Sequence, residues 1–376
     1  MTPLPKGRPT VCLIDLGALR WNHRQVRSKV GSNVKILSVV KANAYGHGAC
    51  EAAAALEDEG TDGFGTATVE EAIELRDHGI RSPIVILAGV YPDQYEEIEK
   101  YDLTPVICDL EVLRKLKKRA AKRKKPLNFH LKVDTGMGRI GLLAKDAAYW
   151  IPELNDLGML QLEGVLSHFS RAENVSHRHT RKQLDSFAQV LRQVQNGGHQ
   201  PRYVHLSNSA AIVTLSEAHF TMVRPGLMLY GIYPSPEMAN ETSLKPVLTW
   251  KTFIHQLKKV PKGFSISYGQ TFTTKRESLI ATLPLGYADG YKRSLSNRGA
   301  VLVRGQRAPI VGTVCMDLTM VDVTDIRGVI QGDEVVLLGR QQENVISADE
   351  MASWSDTISY EVLTSISARV PRIHKK

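Results

Sequence analysis

From residue 34 to about residue 226, short β-branched and apolar runs alternate with longer segments that are apolar on one side only. A strand buried on both faces reads as a near-continuous apolar run bounded by turn residues. On that rule the sequence predicts eight strands, near residues 34–40, 63–66, 84–88, 104–107, 128–133, 162–166, 203–206 and 221–224. Between them apolar positions recur at helical spacing. Thr68 to His78 carries Val69, Ala72, Ile73 and Leu75, and Arg178 to Gln195 carries Leu184, Phe187, Val190, Leu191 and Val194. Leu16 to Lys29 reads as a helix preceding the first of these strands. Strands alternating with helices predict parallel βα units, and this many units predict a closed (β/α)8 barrel of the TIM type, since a doubly wound sheet usually needs fewer strands.

Pro234 to Ser243 reads as a linker, and beyond it the pattern changes. Leu248 to Val260, Ser278 to Leu285, Ala300 to Val303, Ile310 to Val323 and Glu334 to Leu338 are β-rich and separated by Gly and Pro turns. They predict a second, mostly antiparallel β domain, with the boundary between residues 1–243 and 244–376.

The chain carries 43% hydrophobic and 23% charged residues, enough for a sizeable core. Its net charge of +9 is local: nine cations lie between Arg114 and Lys125, and the remaining basic residues equal the 39 acidic ones in number. That run predicts a solvated helix face rather than a nucleic-acid or membrane surface, and no aromatic residue interrupts it to stack on bases. Cys12, Cys50, Cys108 and Cys315 are scattered, without metal-ligand spacing or a disulfide framework. Met1 to Thr10 lacks the apolar core of a signal peptide and no transmembrane run follows, so the cytoplasm is the expected compartment.

The first predicted barrel strand ends at Lys41, which opens Lys41-Ala42-Asn43-Ala44-Tyr45-Gly46-His47-Gly48. A lysine desolvated at a strand end loses its proton more readily, and a neutral amine forms a Schiff base with an aldehyde cofactor. Two glycines allow close backbone approach, and a tyrosine can donate to a phosphate. Arg139, His168, Ser209 and Arg224 also fall at or just after predicted strand ends, the face where barrels assemble their sites.

The segment at Lys41 resembles the pyridoxal-phosphate lysine motif of alanine racemases, a family built on a (β/α)8 barrel followed by a β domain. Further matches keep family order: Asp134-Thr135-Gly136-Met137-Gly138-Arg139, Ser167-His168-Phe169, Asn208-Ser209-Ala210-Ala211, Arg224-Pro225-Gly226, Gly286-Tyr287-Ala288-Asp289-Gly290, Cys315-Met316-Asp317 and Tyr360-Glu361. Inverting an amino acid at its α-carbon needs a proton carrier on each face. The resemblance implies that Lys41 holds pyridoxal 5'-phosphate and serves the D-alanine face, while Tyr287, from the other subunit of a homodimer, serves the L-alanine face. His168 and Arg224 would form a relay behind Tyr287, with Arg224 also facing the pyridine nitrogen. Tyr45, Ser209, Gly226, Leu227 and Tyr360 would hold the phosphate, with a plain helix cap as the competing reading of Ser209. Arg139 and the backbone N–H of Met316 would hold the substrate carboxylate, and Lys132 matches a lysine that is carbamylated in many members. The expected activity is interconversion of L- and D-alanine for peptidoglycan. A racemase for serine or a larger amino acid, a decarboxylase on the same barrel, and a non-enzymatic cofactor carrier remain the alternatives.

Overall fold

The computed structural model describes residues 7–121, 125–173 and 177–375. The chain divides into two compact units, one comprising Ala18–Ala44 and Ala49–Lys245, the other Met1–Gly17, Tyr45–Gly48 and Pro246–Lys376.

In the first unit the eight expected strands form at Lys35–Val39, Gly63–Thr66, Ile84–Ile86, Thr104–Ile107, Leu127–Asp134, Leu160–Leu166, Tyr203–His205 and Met222–Val223. Each pairs in parallel with the next, and Met222 of the last lies opposite Lys35 of the first, closing the ring. Inside it, Leu37, Val85, Val106, Leu166 and Met222 pack together. Side chains alternate across a strand, so Leu127–Asp134 turns His130 and Lys132 to one side and Leu131 and Val133 to the other; all four are buried.

The expected helices form with identifiable ends. Val69–Asp77 is capped by Thr68, whose hydroxyl accepts from the Glu71 N–H at 3.3 Å. Arg178–Asn196 begins at His177, whose Nδ1 accepts from the His179 N–H, and buries Phe187, Val190 and Val194. Cations of the basic run meet acids: Arg114 pairs with Glu153, Lys115 with Glu111, Lys117 with Asp156, and Arg119 with Glu96. Such exposed pairs add little stability, but they cancel much of the local potential. Lys122, Arg123 and Lys124 of that run lie outside the described residues.

The second unit differs from the expected division of the chain at residue 243. Val11–Asp15, expected with the barrel, instead runs antiparallel to Leu248–Phe253 and parallel to Arg372–Lys375. The sheet continues through Glu334–Gln341 to the hairpin Ala300–Val303 and Gln306–Pro309. A separate antiparallel sheet joins Gln256–Val260, Ser278–Leu283 and Thr319–Asp322. Of the run Ile310 to Val323, only Thr319–Asp322 is a strand, and the segment before it is a loop that carries Cys315 and Met316. Two short helices, Ala348–Trp354 and Ser359–Thr364, were not read from the sequence. The first had a signal in Ser347 and Glu350, which have capping-box spacing; the Ser347 hydroxyl accepts from the Glu350 N–H at 3.0 Å.

Leu166 is 1% exposed within the barrel cluster. Its replacement by Ala is expected to cost about 2–5 kcal/mol, read as a lower urea midpoint at an unchanged slope.

Candidate active site

Lys41 begins a turn of unusual hand. Ala42, Asn43, Ala44 and Tyr45 have φ of 52°, 53°, 52° and 53°, and the Ala44 N–H donates to the Val40 carbonyl at 2.8 Å. This is a left-handed helical turn, which costs each residue with a Cβ roughly 1–2 kcal/mol. Specific bonds hold it. The Glu71 carboxylate accepts from the N–H groups of Ala42 and Ala67, both at 2.7 Å, and Asn43 Oδ1 accepts from the Ala49 N–H. Gly46 ends the turn at φ 85°, where a Cβ would lie 2.3 Å from the Leu363 carbonyl oxygen. Strain held at one place by surrounding contacts is a mark of function, and here it sets where Lys41 leaves the barrel wall.

Lys41, Lys132, Arg139, His168 and Arg224 influence one another electrostatically at the C-terminal ends of the strands. Burial, then Arg139 and Arg224, push Lys41 toward its neutral form, against the opposing carboxylate of Glu71. Burial and the same two arginines bring Lys132 down to about 7. His168 is held well below the ordinary histidine value, first by burial and then by Arg224, so it is neutral at pH 7.

Arg224 is buried and fully engaged on two nitrogens. Nη1 donates to the His205 carbonyl at 2.7 Å and to His205 Nδ1 at 3.0 Å. Nη2 donates to the carbonyls of Ser167 at 2.7 Å and Leu206 at 3.2 Å, and to His168 Nδ1 at 3.3 Å. A guanidinium only donates, so His168 accepts through Nδ1 and keeps its proton on Nε2.

Arg139 sits at the end of a loop wrapped around one carboxylate. Asp134 accepts from the N–H groups of Gly136, Met137 and Gly138, the first two at 2.8 and 2.9 Å. Ser209 lies within the helix Ser209–Thr214, but Asn208 is its cap, accepting from the Ala211 N–H. The Ser209 hydroxyl is instead gathered with the chain after the last barrel strand, accepting from the N–H groups of Gly226 at 3.0 Å and Met228 at 3.3 Å, on either side of Leu227.

The second unit has its own cluster. The Tyr287 N–H donates to the Cys315 carbonyl and the Ala288 N–H to that of Met316, so two segments far apart in sequence become neighbours. The approach is close enough that a Cβ on Gly286 would lie 2.1 Å from the Cys315 oxygen. Asp289, fully buried, closes this turn by accepting from the Gly286 N–H and pairs with Arg8 through both oxygens, at 2.5 and 2.7 Å. Tyr287 is 42% and Met316 53% exposed. Tyr45 and Tyr360 meet with ring centroids 6.0 Å apart, and burial, then Tyr360, pushes the Tyr45 phenol up, keeping it a neutral donor. Sequence reading missed Glu71, Arg8, His130 and His205. Only the first two carried a local hint, Glu71 in a first helical turn and Arg8 as a cation just before an apolar strand.

A closed (β/α)8 barrel that gathers a lysine, two arginines and a histidine at its strand ends has the arrangement of an enzyme site. Two family models match this chain, the alanine racemase N-terminal domain over residues 14–234 and the C-terminal domain over residues 247–374. An alanine racemase of Halothermothrix orenii is 50% identical over 98% of this chain and 97% of its own length. The crystal structure of alanine racemase from Bacillus anthracis with bound L-Ala-P superposes with a TM-score of 0.93 at 36% identity, covering 99% of this chain and 96% of that one. Alanine racemase from Bartonella henselae with covalently bound pyridoxal phosphate gives 0.88 at 32% identity, covering 98% of this chain and all of that one. The chain belongs to the alanine racemase family.

The lowered Lys132 has a consequence for stability. With a folded value of about 7 and an unfolded one near 10.4, the unfolded state binds more protons between those values, so stability rises with pH across that window. In buffer free of carbon dioxide, Lys132→Met is expected to reduce the rise in Tm from pH 7 to pH 10, measured by calorimetry.

Proposed function

We propose that this protein is an alanine racemase that uses pyridoxal 5'-phosphate to interconvert L- and D-alanine. The observation that carries the reading is the barrel-end cluster, in which Lys41 is driven toward a neutral amine beside Arg139, Arg224 and a neutral His168. The residues fit the cofactor. Lys41 would be the nucleophile for its aldehyde; the Ser209 hydroxyl, which accepts from the Gly226 N–H and keeps its own proton to donate, would cradle its phosphate together with the Leu227 N–H, and Tyr45 and Tyr360 would add neutral hydroxyls. When bound, pyridoxal phosphate supplies the electron sink that makes an α-proton removable.

With the cofactor bound, Lys41 Nζ would take or return the α-proton on the D-alanine face. Tyr287 does the same on the L-alanine face, and Arg139 with the Met316 N–H grips the carboxylate. With Nδ1 occupied by Arg224, His168 has its Nε2–H left to donate to the Tyr287 oxygen, stabilising the phenolate. Arg224 would hold the ring side of the cofactor, and because a guanidinium does not readily yield a proton the ring would stay a weaker electron sink, favouring return of the proton to the α-carbon. Lys132, near neutrality and close to two arginines, is suited to accept carbon dioxide as a carbamate that would orient Arg139. Labelled bicarbonate should give a carbamate NMR signal that Lys132→Ala abolishes.

Tyr287 and Met316 are proposed to serve the site of a second copy in a homodimer. Supporting this, Tyr287, Met316, Leu318, Tyr268 and Phe264 are large apolar residues left exposed on the second unit, where a groove of about 510 Å³ is lined by the last three. D-Alanine would go to peptidoglycan, and the cytoplasm is the proposed compartment; among the described residues no helix is long and apolar enough to cross a membrane.

Cofactor-loaded protein given L-alanine in deuterium oxide should lose the α-proton NMR signal while D-alanine accumulates. Loss of the signal without inversion would refute racemisation. Tyr287→Phe should slow exchange of L-alanine about a hundredfold or more. Mixing inactive Lys41→Ala and Tyr287→Phe chains under exchanging conditions should restore about a quarter of wild-type activity, because half the dimers are mixed and each has one intact site. No recovery, with subunit exchange verified, would place both residues of a site in one chain.

A further inference from the structure

Arg224 is tied to a second anchor on the side away from His168. His205 Nε2 lies 2.9 Å from His130 Nδ1, and His130 Nε2 lies 3.6 Å from Glu163 Oε2, beyond direct hydrogen-bond reach but within strong charge–dipole range. Both imidazoles are fully buried, whereas the Glu163 side chain keeps 18% exposure. Two fully buried histidines are costly unless their polar atoms are engaged. None of the chemistry assigned to the site uses them.

The ends of the series fix its direction. Arg224 only donates, so His205 Nδ1 accepts and its proton lies on Nε2. That proton is donated to His130 Nδ1, which leaves the His130 proton on Nε2, facing the carboxylate. A cation at one end and an anion at the other polarise every link the same way.

The barrel wall is shaped around this arrangement. Leu127–Asp134 and Leu160–Leu166 pair with a register shift: Phe129 lies opposite Leu162 and His130 opposite Gly164, so Glu163 is the extra residue of a bulge. Bulges are rare between parallel strands and serve to re-aim a side chain. At Gly164 a Cβ would lie 2.7 Å from His130 Cγ, so the glycine leaves room for the ring.

We infer that His205, His130 and Glu163 are positioning residues that orient the Arg224 guanidinium and hold its charge against Arg139 and Lys132. The inference rests on the proposed role of Arg224 at the cofactor ring. It provides that arginine, whose direct partners are uncharged and whose charged neighbour is Arg139, with an anionic counterpart delivered through the barrel core. Glu163 therefore affects a reaction whose atoms it does not touch.

The test uses cofactor-loaded protein with isotope-labelled histidine. In the wild type, the ring nitrogens of His205 and His130 should both report the tautomer protonated at Nε2. Glu163→Gln keeps the shape and removes the charge; it should shift the signals of both rings, move the absorbance of the bound cofactor, and lower kcat about threefold with Tm unchanged. Gly164→Ala should displace His130 and shift the His205 signals in the same sense. His205→Leu should lose roughly tenfold to a hundredfold in kcat/KM, and His205→Asn, whose Oδ1 replaces the Nδ1 acceptor, should recover part of that loss. A wild-type His205 protonated on Nδ1 would overturn the proposal, as would Glu163→Gln shifting His130 alone with kcat unchanged. The NMR arms need no turnover, so failure of the racemase reading would appear separately, as absence of alanine inversion in the wild type.

Discussion

The burial of one guanidinium organises the barrel end. Arg224 could not be sealed into the protein without partners for its donors, and three carbonyls and two imidazoles from neighbouring strands supply them. Those bonds make the ends of the strands Leu160–Leu166, Tyr203–His205 and Met222–Val223 parts of one polar structure. They also determine which nitrogen of His168 is free. The charge of Arg224 adds to burial, and to Arg139, in drawing Lys132 and to a smaller degree Lys41 toward the neutral state. The joining of the strand ends and the tautomer of His168 thus share one cause.

The second unit solves a similar problem with a carboxylate. Asp289 is wholly buried, and Arg8 with the Gly286 N–H satisfies it, which fixes the turn presenting Tyr287. Tyr287 and Met316 are adjacent because of backbone bonds, so their spacing is independent of the side chains around them. In each unit a buried charge organises the backbone around it.

Much of this was legible in the chain. Buried parallel strands reveal themselves as short apolar runs, and all eight were found, with Lys41, Arg139, His168 and Arg224 correctly placed at their ends. Ordered motifs indicated the family. What escaped reading depends on relations that leave no local trace. Val11–Asp15 has the composition of a barrel strand, and only its partners more than two hundred residues away reveal its place. The sign of φ at Ala42 and Ala44 is imposed by Glu71, Asn43 and the close approach at Gly46, since alanine prefers the opposite hand. The cap offered as the competing reading of Ser209 belongs to Asn208, which shares its preference for such positions and can be told apart only once the chain is folded. His130 and His205 look like any other histidines in a strand until the barrel closes around them.

The home of Val11–Asp15 also bears on how the molecule is made. A chain emerging from the ribosome presents this apolar strand long before its neighbours in the sheet, Leu248–Phe253 and Arg372–Lys375. The barrel's own strands all lie between Lys35 and Val223, so that unit has everything it needs while the other still lacks both flanks of its first strand. Domains generally fold as their sequence becomes available. Here an apolar segment must wait, with its edges unpaired, while more than two hundred further residues are made, which makes it a natural place for chaperones to act during biosynthesis.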